Sequence, residues 1–157
     1  MSKSIRLGVI GGGQLGSLLC AAARKIKVES IVLSDDKDGP AKHFCDHFIY
    51  SNYENNEKVR DFIDKVDFVT YEFENIPIDF LNLIEREKRV LPSPNINKIA
   101  QNRKLEKTFL NEINIKTTDW VFIDSAENIK KNQHLLPGIL KSNILEITDS
   151  NKLLMLL

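Results

Sequence analysis

The chain is poor in cysteine, carries no net charge and has no long apolar run. The spacing of its two cysteines, Cys20 and Cys45, fits neither a metal cluster nor a redox pair, so we expect both to be reduced packing residues. Its 22 basic residues balance its 22 acidic ones, which argues against attraction to nucleic acid or to an anionic membrane. No apolar run approaches the roughly 20 residues that span a bilayer, and no secretory signal is recognisable, so we expect a cytoplasmic protein.

Histidine is equally scarce, and its distribution excludes the common histidine-based metal sites. His43, His47 and His134 are scattered along the chain, and no HExxH or comparable pair occurs. We therefore predict no metal ligand and no catalytic residue from these side chains.

A length of 157 residues allows one well-buried core, or one domain followed by a fragment of another.

Strand-like and helix-like patterns alternate through residues 1–94, which is typical of an α/β fold with a doubly wound parallel sheet. Pro92-Ser93-Pro94 then marks the end of this domain. Loops after the first and fourth strands fall at the same carboxyl edge of such a sheet, where open α/β sheets bind ligands. The predicted strands cover residues 5–10, 30–33, 47–50, 67–71 and 90–91, and the predicted helices cover residues 14–25, 40–45, 54–65 and 78–88.

The first strand runs directly into a glycine cluster, and a helical pattern begins at Gln14. Gly11, Gly13 and Gly16 have the G-x-G-x-x-G spacing in its strand-to-helix context. Glycines let the backbone turn tightly and approach a ligand, while the free N–H groups of the helix face an anion. We expect a phosphate-bearing ligand here; the alternative is a tight turn that only packs helix on strand.

A dinucleotide site would also need an acidic residue about 20 positions further on, to hold a ribose. Asp35 and Asp36 follow the second strand near this position. They are equally plausible as solvated turn residues. An NAD(P)-binding Rossmann oxidoreductase is therefore one alternative, and a non-catalytic nucleotide-binding module is another.

The pattern changes after residue 94. Helices are predicted over residues 95–100, 102–114 and 125–132, and strands over 120–123 and 138–141. The chain ends in an apolar run, Leu153-Leu154-Met155-Leu156-Leu157, which must pack or it will promote association.

Four segments occur in order along the chain, Gly11–Gly16, Val69–Asn75, Gln101–Leu110 and Leu136–Lys141. Together they resemble one family, the N5-carboxyaminoimidazole ribonucleotide synthases, which are ATP-grasp enzymes of purine biosynthesis. The resemblance implies a Rossmann-like pre-ATP-grasp domain over residues 1–94, followed by a helical linker and the start of the ATP-grasp lid subdomain over residues 95–141. It also implies ATP and Mg²⁺ as cofactors.

The same resemblance implies the site residues. A loop of unpaired N–H groups suits a phosphate, and Glu72 can accept hydrogen bonds from ribose hydroxyls or from the aminoimidazole. Without the resemblance, Arg103 is equally an ordinary solvated helix residue and Tyr71 a core residue at the sheet end. The implied ribonucleotide-binding residues are Gly13, Gln14, Leu15, Tyr71 and Glu72, and the implied ATP-binding residues are Arg103 and Lys141.

The match fails after Lys141. The family continues with a glycine-rich loop that closes over the ATP phosphates and, much later, with acidic magnesium ligands, whereas no glycine follows Gly138 here. Phosphoryl transfer depends on such charge-neutralising parts. We therefore expect a truncated family member that is not catalytically competent alone, with residues 142–157 as an aberrant apolar tail. Whether a complementing chain or a homodimer completes it stays open.

Overall fold

A computed structural model describes residues 4–143 and the backbone of residues 153–156. The chain divides into two units, Met1–Pro94 and Asn95–Leu157. Residues 144–152 and 157 of the predicted tail lie outside the described residues. Within the described part, every helix is too short or too polar to cross a membrane.

The first unit is built on five strands that pair in parallel. Helices cover both faces of this sheet, so the predicted doubly wound α/β fold is confirmed. The strands are β1 (Arg6–Ile10), β2 (Glu29–Ser34), β3 (His47–Tyr50), β4 (Phe68–Tyr71) and β5 (Arg89–Val90), in the spatial order β3-β2-β1-β4-β5; the helices are α1 (Gln14–Lys25), α2 (Asn56–Lys65) and α3 (Ile78–Glu85), with a 3-10 helix at Pro40–His43.

Two apolar clusters hold this unit together, one on each face of the sheet. On one face, α2 and α3 pack against the strands around Phe62, which is fully buried. On the other, α1 contributes Cys20 to a smaller cluster with Val9 and Val32. Both thiols are free, and burial raises the pKa of Cys45 to about 11, so this thiol stays protonated at neutral pH.

Strand register brings the candidate residues to one edge. Ile10, the last residue of β1, is level with Leu33 of β2 and with Tyr71 of β4. The chain leaves β1 into the glycine loop and leaves β4 into Glu72. Because all the strands are parallel, both segments lie at the carboxyl edge of the sheet.

The short element after β2 differs from its prediction. A helix is predicted over residues 40–45, but a 3-10 helix ends at His43. The backbone N–H of Ala41 donates to the carbonyl of Gly12 at 3.0 Å, and the Asp46 carboxylate accepts from the Ser30 N–H at 2.8 Å. Contacts with the glycine loop and with β2 therefore fix a segment that is too short to form an α-helix by itself.

The second unit contains an antiparallel sheet in the order β6-β8-β7. The sequence analysis does not predict β8, whose backbone lies between the other two strands. The elements are α4 (Pro94–Ala100), α5 (Arg103–Glu112), β6 (Trp120–Ile123), α6 (Ala126–Lys131), β7 (Ile139–Ser142) and β8 (Leu153–Leu156), with a 3-10 helix at Gln133–Leu135.

Candidate functional site

The glycine loop after β1 makes a turn that only glycine adopts easily. Gly11 has φ of +108°, and its N–H donates to the carbonyl of Leu33 at 2.9 Å. A side chain at this φ is strained whatever space surrounds it. The loop is thus attached to the end of β2 and delivers the chain into α1 at Gln14.

Glu72 lies opposite this loop, directly after β4. Its own N–H donates to the carbonyl of Ile10 at 3.3 Å, which continues the pairing of β1 with β4. Its carboxylate accepts two backbone hydrogen bonds, from Gly13 N–H to Oε1 at 2.8 Å and from Gly16 N–H to Oε2 at 3.1 Å. Glu72 therefore binds the amino end of α1 from another strand.

This contact replaces the usual cap of a helix. Gly13, the N-cap residue, has no side chain to offer, and the first turn of α1 carries no acid. The first N–H groups of any α-helix lack acceptors within the helix, and the helix dipole favours a negative charge there. Glu72 supplies that charge and satisfies two of these donors.

A cavity of about 420 Å³ opens beside this contact. Leu15 and Leu18 are more than half exposed on its wall. The Tyr71 hydroxyl, which is half-buried, donates to the carbonyl of Ser93 at 3.4 Å, and burial raises its pKa. The cavity thus joins apolar surface to one carboxylate. Its lining residues are Leu15, Leu18, Leu19, Tyr71 and Glu72.

The structure brings together the five residues that the resemblance implies for the ribonucleotide. Gly13 and Glu72 are hydrogen-bonded, and Leu15, Tyr71 and Glu72 line one cavity. Gln14 is the first residue of α1, and its side chain is exposed. The sequence predicts unpaired N–H groups in this loop. In the structure, the N–H groups of Gly13 and Gly16 already donate to the Glu72 carboxylate.

Sequence reasoning missed Tyr53, whose hydroxyl is buried near this edge. Among the residues that the structure describes, that oxygen has no hydrogen-bond partner. The ring packs on Phe80, with centroids 4.7 Å apart. Burial, together with the charges of Asp35 and Glu72, raises the pKa of Tyr53. An isolated tyrosine after a short strand gives no sequence signal for this position.

We expect Tyr53→Phe to raise the free energy of unfolding by about 1 kcal/mol, since a buried hydroxyl without a partner costs more than it returns. Urea unfolding followed by circular dichroism measures the change. Tyr50→Phe is the control, because Tyr50 is 57% exposed and its replacement should change stability by less than about 0.5 kcal/mol. A destabilised Tyr53→Phe protein would mean that the hydroxyl does have a stabilising partner.

In the second unit, Arg103 and Lys141 come from different elements that meet. Arg103 is the first residue of α5, and its Nε donates to the carbonyl of Ser142, the residue after Lys141, at 3.1 Å. Both side chains are half-buried. The two residues that the resemblance implies for ATP thus lie on elements that are joined by a hydrogen bond.

Asn143, a second residue that sequence reasoning missed, binds the amino end of α5. It is 5% exposed, although it belongs to the predicted tail. Its backbone carbonyl accepts from Arg103 N–H at 2.9 Å, and its Oδ1 accepts from Lys104 N–H at 3.1 Å. With Asn102 Oδ1 accepting from Leu105 N–H at 3.0 Å, the amino end of α5 is capped.

The acidic residues of the dinucleotide alternative lie in a local turn. Asp35 and Asp36 are exposed after β2. Asp36 Oδ1 accepts from Asp38 N–H at 2.9 Å, and the Ser34 hydroxyl accepts from Asp36 N–H at 3.1 Å. These bonds are those of a turn stabilised by its own side chains.

The described residues offer Mg²⁺ no ready site. Nowhere in residues 4–143 do three histidine, cysteine, aspartate or glutamate side chains stand together so that they could hold a metal ion. Mg²⁺ prefers several oxygen ligands, usually carboxylates with phosphates and water. The residues of this part of the chain do not fit a magnesium centre of their own.

The comparisons with known sequences agree on one family. The ribonucleotide synthetase preATP-grasp domain matches residues 4–101. The chain is 36% identical over 123 residues to the N5-carboxyaminoimidazole ribonucleotide synthase of Brucella melitensis, covering 78% of this chain and 34% of that protein. It is 34% identical over 139 residues to the bifunctional purine synthesis protein purC/E of Dictyostelium discoideum, covering 87% of this chain and 14% of that protein. The chain therefore spans about a third or less of these relatives.

Solved structures show the same fold. The N5-carboxyaminoimidazole synthetase of Staphylococcus aureus complexed with ADP superimposes with a TM-score of 0.87 at 24% identity, covering 99% of this chain and 47% of that one. The N5-carboxyaminoimidazole synthase of Aspergillus clavatus, in complex with ADP and 5-aminoimidazole ribonucleotide, gives a TM-score of 0.85 at 24% identity, covering all of this chain and 47% of that one.

Proposed function

The chain belongs to the ribonucleotide synthetase preATP-grasp domain family, and from this premise we propose that its first unit binds 5-aminoimidazole ribonucleotide for an ATP-dependent carboxylation in purine biosynthesis. The observation that carries the proposal is the Glu72 carboxylate, held by two amides of α1 at the edge of an apolar cavity. An ionised carboxylate accepts hydrogen bonds from ribose hydroxyls and from an amine. Leu15 and Tyr71 give the ligand's ring an apolar surface.

Glu72→Ala tests this proposal. Losing hydrogen bonds to a charged group should weaken ribonucleotide binding by on the order of 1–3 kcal/mol, or roughly 5- to 150-fold in Kd. Isothermal titration of the 157-residue chain measures it. Glu74→Ala is the matched control, since Glu74 is an exposed carboxylate two residues further along the same loop.

An unchanged Kd for Glu72→Ala would remove this carboxylate from the site. Isothermal titration of the same protein with NADH tests the dinucleotide alternative. The proposed pocket should give no heat of binding with that ligand. Binding of NADH without binding of the ribonucleotide would contradict the proposal directly.

For the second unit we propose that Arg103 and Lys141 contact the nucleotide phosphates. The guanidinium offers a fork of donors, and the ammonium acts as a point charge. The Staphylococcus aureus relative was solved with ADP, which supports a nucleotide-binding role in the family. The magnesium ligands of this reaction are not assigned to the described residues.

We further propose that the carboxylation needs the remaining ATP-grasp module. Apolar side chains of α5 and of the residue that follows it are not buried within their own unit: Leu105 and Phe109 are 41% and 40% exposed, and Ile113 is 47% exposed. A surface of this kind is covered in a larger assembly. The purified 157-residue chain should release no ADP when ATP, bicarbonate and ribonucleotide are all supplied, and steady release dependent on both substrates would contradict this.

We place the protein in the cytoplasm, in keeping with its free thiols.

A further inference from the structure

The second unit contains a cavity of about 550 Å³, a volume within the range of small-molecule sites. It opens where the carboxyl end of α5 meets the residues that lead into β6 and the 3-10 helix after α6. Its wall includes Asn111, Asp119, Trp120, Asn132 and Leu135. The wall thus combines an aromatic ring and an aliphatic side chain with polar groups that can form hydrogen bonds.

This cavity is separate from the proposed phosphate contacts of the same unit. Arg103 is the first residue of α5, and Asn111 lies in its last turn. An α-helix rises 1.5 Å per residue, so the backbones of these two residues are about 12 Å apart along the helix axis. Neither Arg103 nor Lys141 is among the described residues that line the cavity. A molecule in the cavity is therefore held by other side chains than the proposed phosphate contacts.

Trp120 gives the cavity a flat apolar surface. It is the first residue of β6, and its side chain is half-buried. Heteroaromatic rings stack on aromatic side chains whatever their substituents, because every such ring has a π-face. The wall therefore favours a planar ring as ligand, and the polar groups of the wall decide which ring is bound.

Two oxygen acceptors line the same cavity. The Asp119 carboxylate is exposed and has no ion-pair or hydrogen-bond partner among the described residues. Asn132 Nδ2 donates to the carbonyl of Asn128 at 2.8 Å, which leaves Asn132 Oδ1 as an acceptor. Both oxygens can accept a hydrogen bond from an amino group of a ligand.

The cavity also offers a hydrogen-bond donor. Asn111 Oδ1 lies 3.3 Å from the Thr117 hydroxyl, so the amide nitrogen of Asn111 is the group left to donate. No residue in the described part of the chain accepts from this nitrogen. Since an amide N–H pairs with a ring nitrogen, the donor and the acceptors together match an amino group next to a ring nitrogen, as in adenine.

The charge of the wall disfavours phosphate. No lysine or arginine is among the described residues that line the cavity, whereas Asp119 contributes a carboxylate. A phosphate group would be repelled by Asp119 and would find no cation to neutralise it. A base or a nucleoside therefore fits this wall better than the corresponding nucleotide.

We propose that this cavity binds an uncharged amino-substituted heterocycle such as adenine or its nucleoside. The ring stacks on Trp120, its amino group donates to Asp119 or Asn132, and Asn111 donates to a ring nitrogen. The site is additional to the proposed ribonucleotide site, which other residues form in the first unit.

Adenosine tests the proposal through the fluorescence of Trp120, which is the only tryptophan of the chain. Added to the 157-residue protein, adenosine should quench this fluorescence saturably, with a Kd below about 1 mM. AMP should bind at least about 5-fold more weakly, because its phosphate brings negative charge near Asp119. The proposal is overturned if adenosine gives no saturable quenching up to about 5 mM, or if AMP binds as tightly as adenosine.

Two variants test the assigned hydrogen bonds. Asp119→Asn should weaken adenosine binding by about 5-fold and bring the Kd of AMP within about 2-fold of that of adenosine. Asn111→Ala should weaken adenosine binding by a similar factor and keep the preference over AMP. Glu112→Gln is the matched control, since Glu112 is an exposed carboxylate of α5 outside the cavity wall. Equal effects of Asp119→Asn and Glu112→Gln would contradict the role of Asp119.

Glu72→Ala separates this site from the proposed ribonucleotide site. The Kd of this variant for adenosine, measured by Trp120 fluorescence, should equal that of the wild type within about 2-fold. Loss of the quenching would assign the signal to the first unit and overturn the proposal. Choline tests a different class of ligand: saturable quenching by choline, with none by adenosine, would make the cavity a site for organic cations and contradict the proposal.

Discussion

Replacing Gly11 by alanine is expected to lower the free energy of unfolding by about 3 kcal/mol, from backbone strain and overpacking together. Gly11 has φ of +108°, a region that alanine rarely adopts. The new Cβ would also meet Glu72 Cγ at 2.6 Å. Moving the Glu72 side chain away would relieve the overpacking but not the backbone strain. Urea unfolding followed by circular dichroism measures the loss.

Gly13→Ala is the matched control for this prediction. Gly13 has φ of −73°, which any residue adopts, and an added Cβ would meet the Glu72 carboxylate, with Oε1 at 2.7 Å. The loss of stability should stay below about 1 kcal/mol, the scale of a changed helix cap. Equal losses for the two alanine variants would show that contact with Glu72, and not backbone strain, dominates at Gly11.

Much of the first unit could be predicted from the chain because its elements are local patterns. The bounds predicted for α1 and β3 agree with the structure at both ends, since a glycine cluster and a turn delimit them. The carboxyl end of α3 differs from its prediction: the helix ends at Glu85, three residues before the predicted end. Backbone hydrogen bonding decides that end.

The candidate site could be predicted only in part. Parallel strands bring the loop after β1 and the residue after β4 to one edge, so the proximity of Gly13 and Glu72 follows from topology. Their hydrogen bond does not follow, because no periodicity indicates which donor a carboxylate will find. The buried hydroxyl of Tyr53 was unpredictable for the same reason.

The second unit was harder to predict because its pairing is non-local. The run Leu153–Leu156 contains four apolar residues in a row, and periodicity cannot separate a strand from a helix in so short a run. The structure pairs its backbone with β6 on one side and β7 on the other. Likewise, capping of α5 by Asn143 joins residues 40 positions apart, which no local motif encodes.

Phe62→Ala should be the most destabilising single change in the first unit, with a loss of about 3–5 kcal/mol in the free energy of unfolding. Phe62 is fully buried in the cluster between α2 and the sheet. Truncating its ring removes apolar contacts and leaves a cavity that the strands cannot fill. Phe44→Ala is the control, since Phe44 is 43% exposed and should cost about 1 kcal/mol or less. Similar losses for both would argue against the packing assigned to Phe62.

The same ring explains why β1 carries a glycine at position 8, and this allows a sharper test. A Cβ on Gly8 would lie 2.6 Å from Phe62 Cζ and 2.9 Å from Val66 Cγ1, so Gly8→Ala should cost about 1–3 kcal/mol by overpacking. If the ring is the main obstacle, Gly8→Ala combined with Phe62→Leu should be more stable than the sum of the two single changes predicts, by about 1 kcal/mol in a double-mutant cycle. Strict additivity would mean that Val66, rather than Phe62, resists the added methyl group.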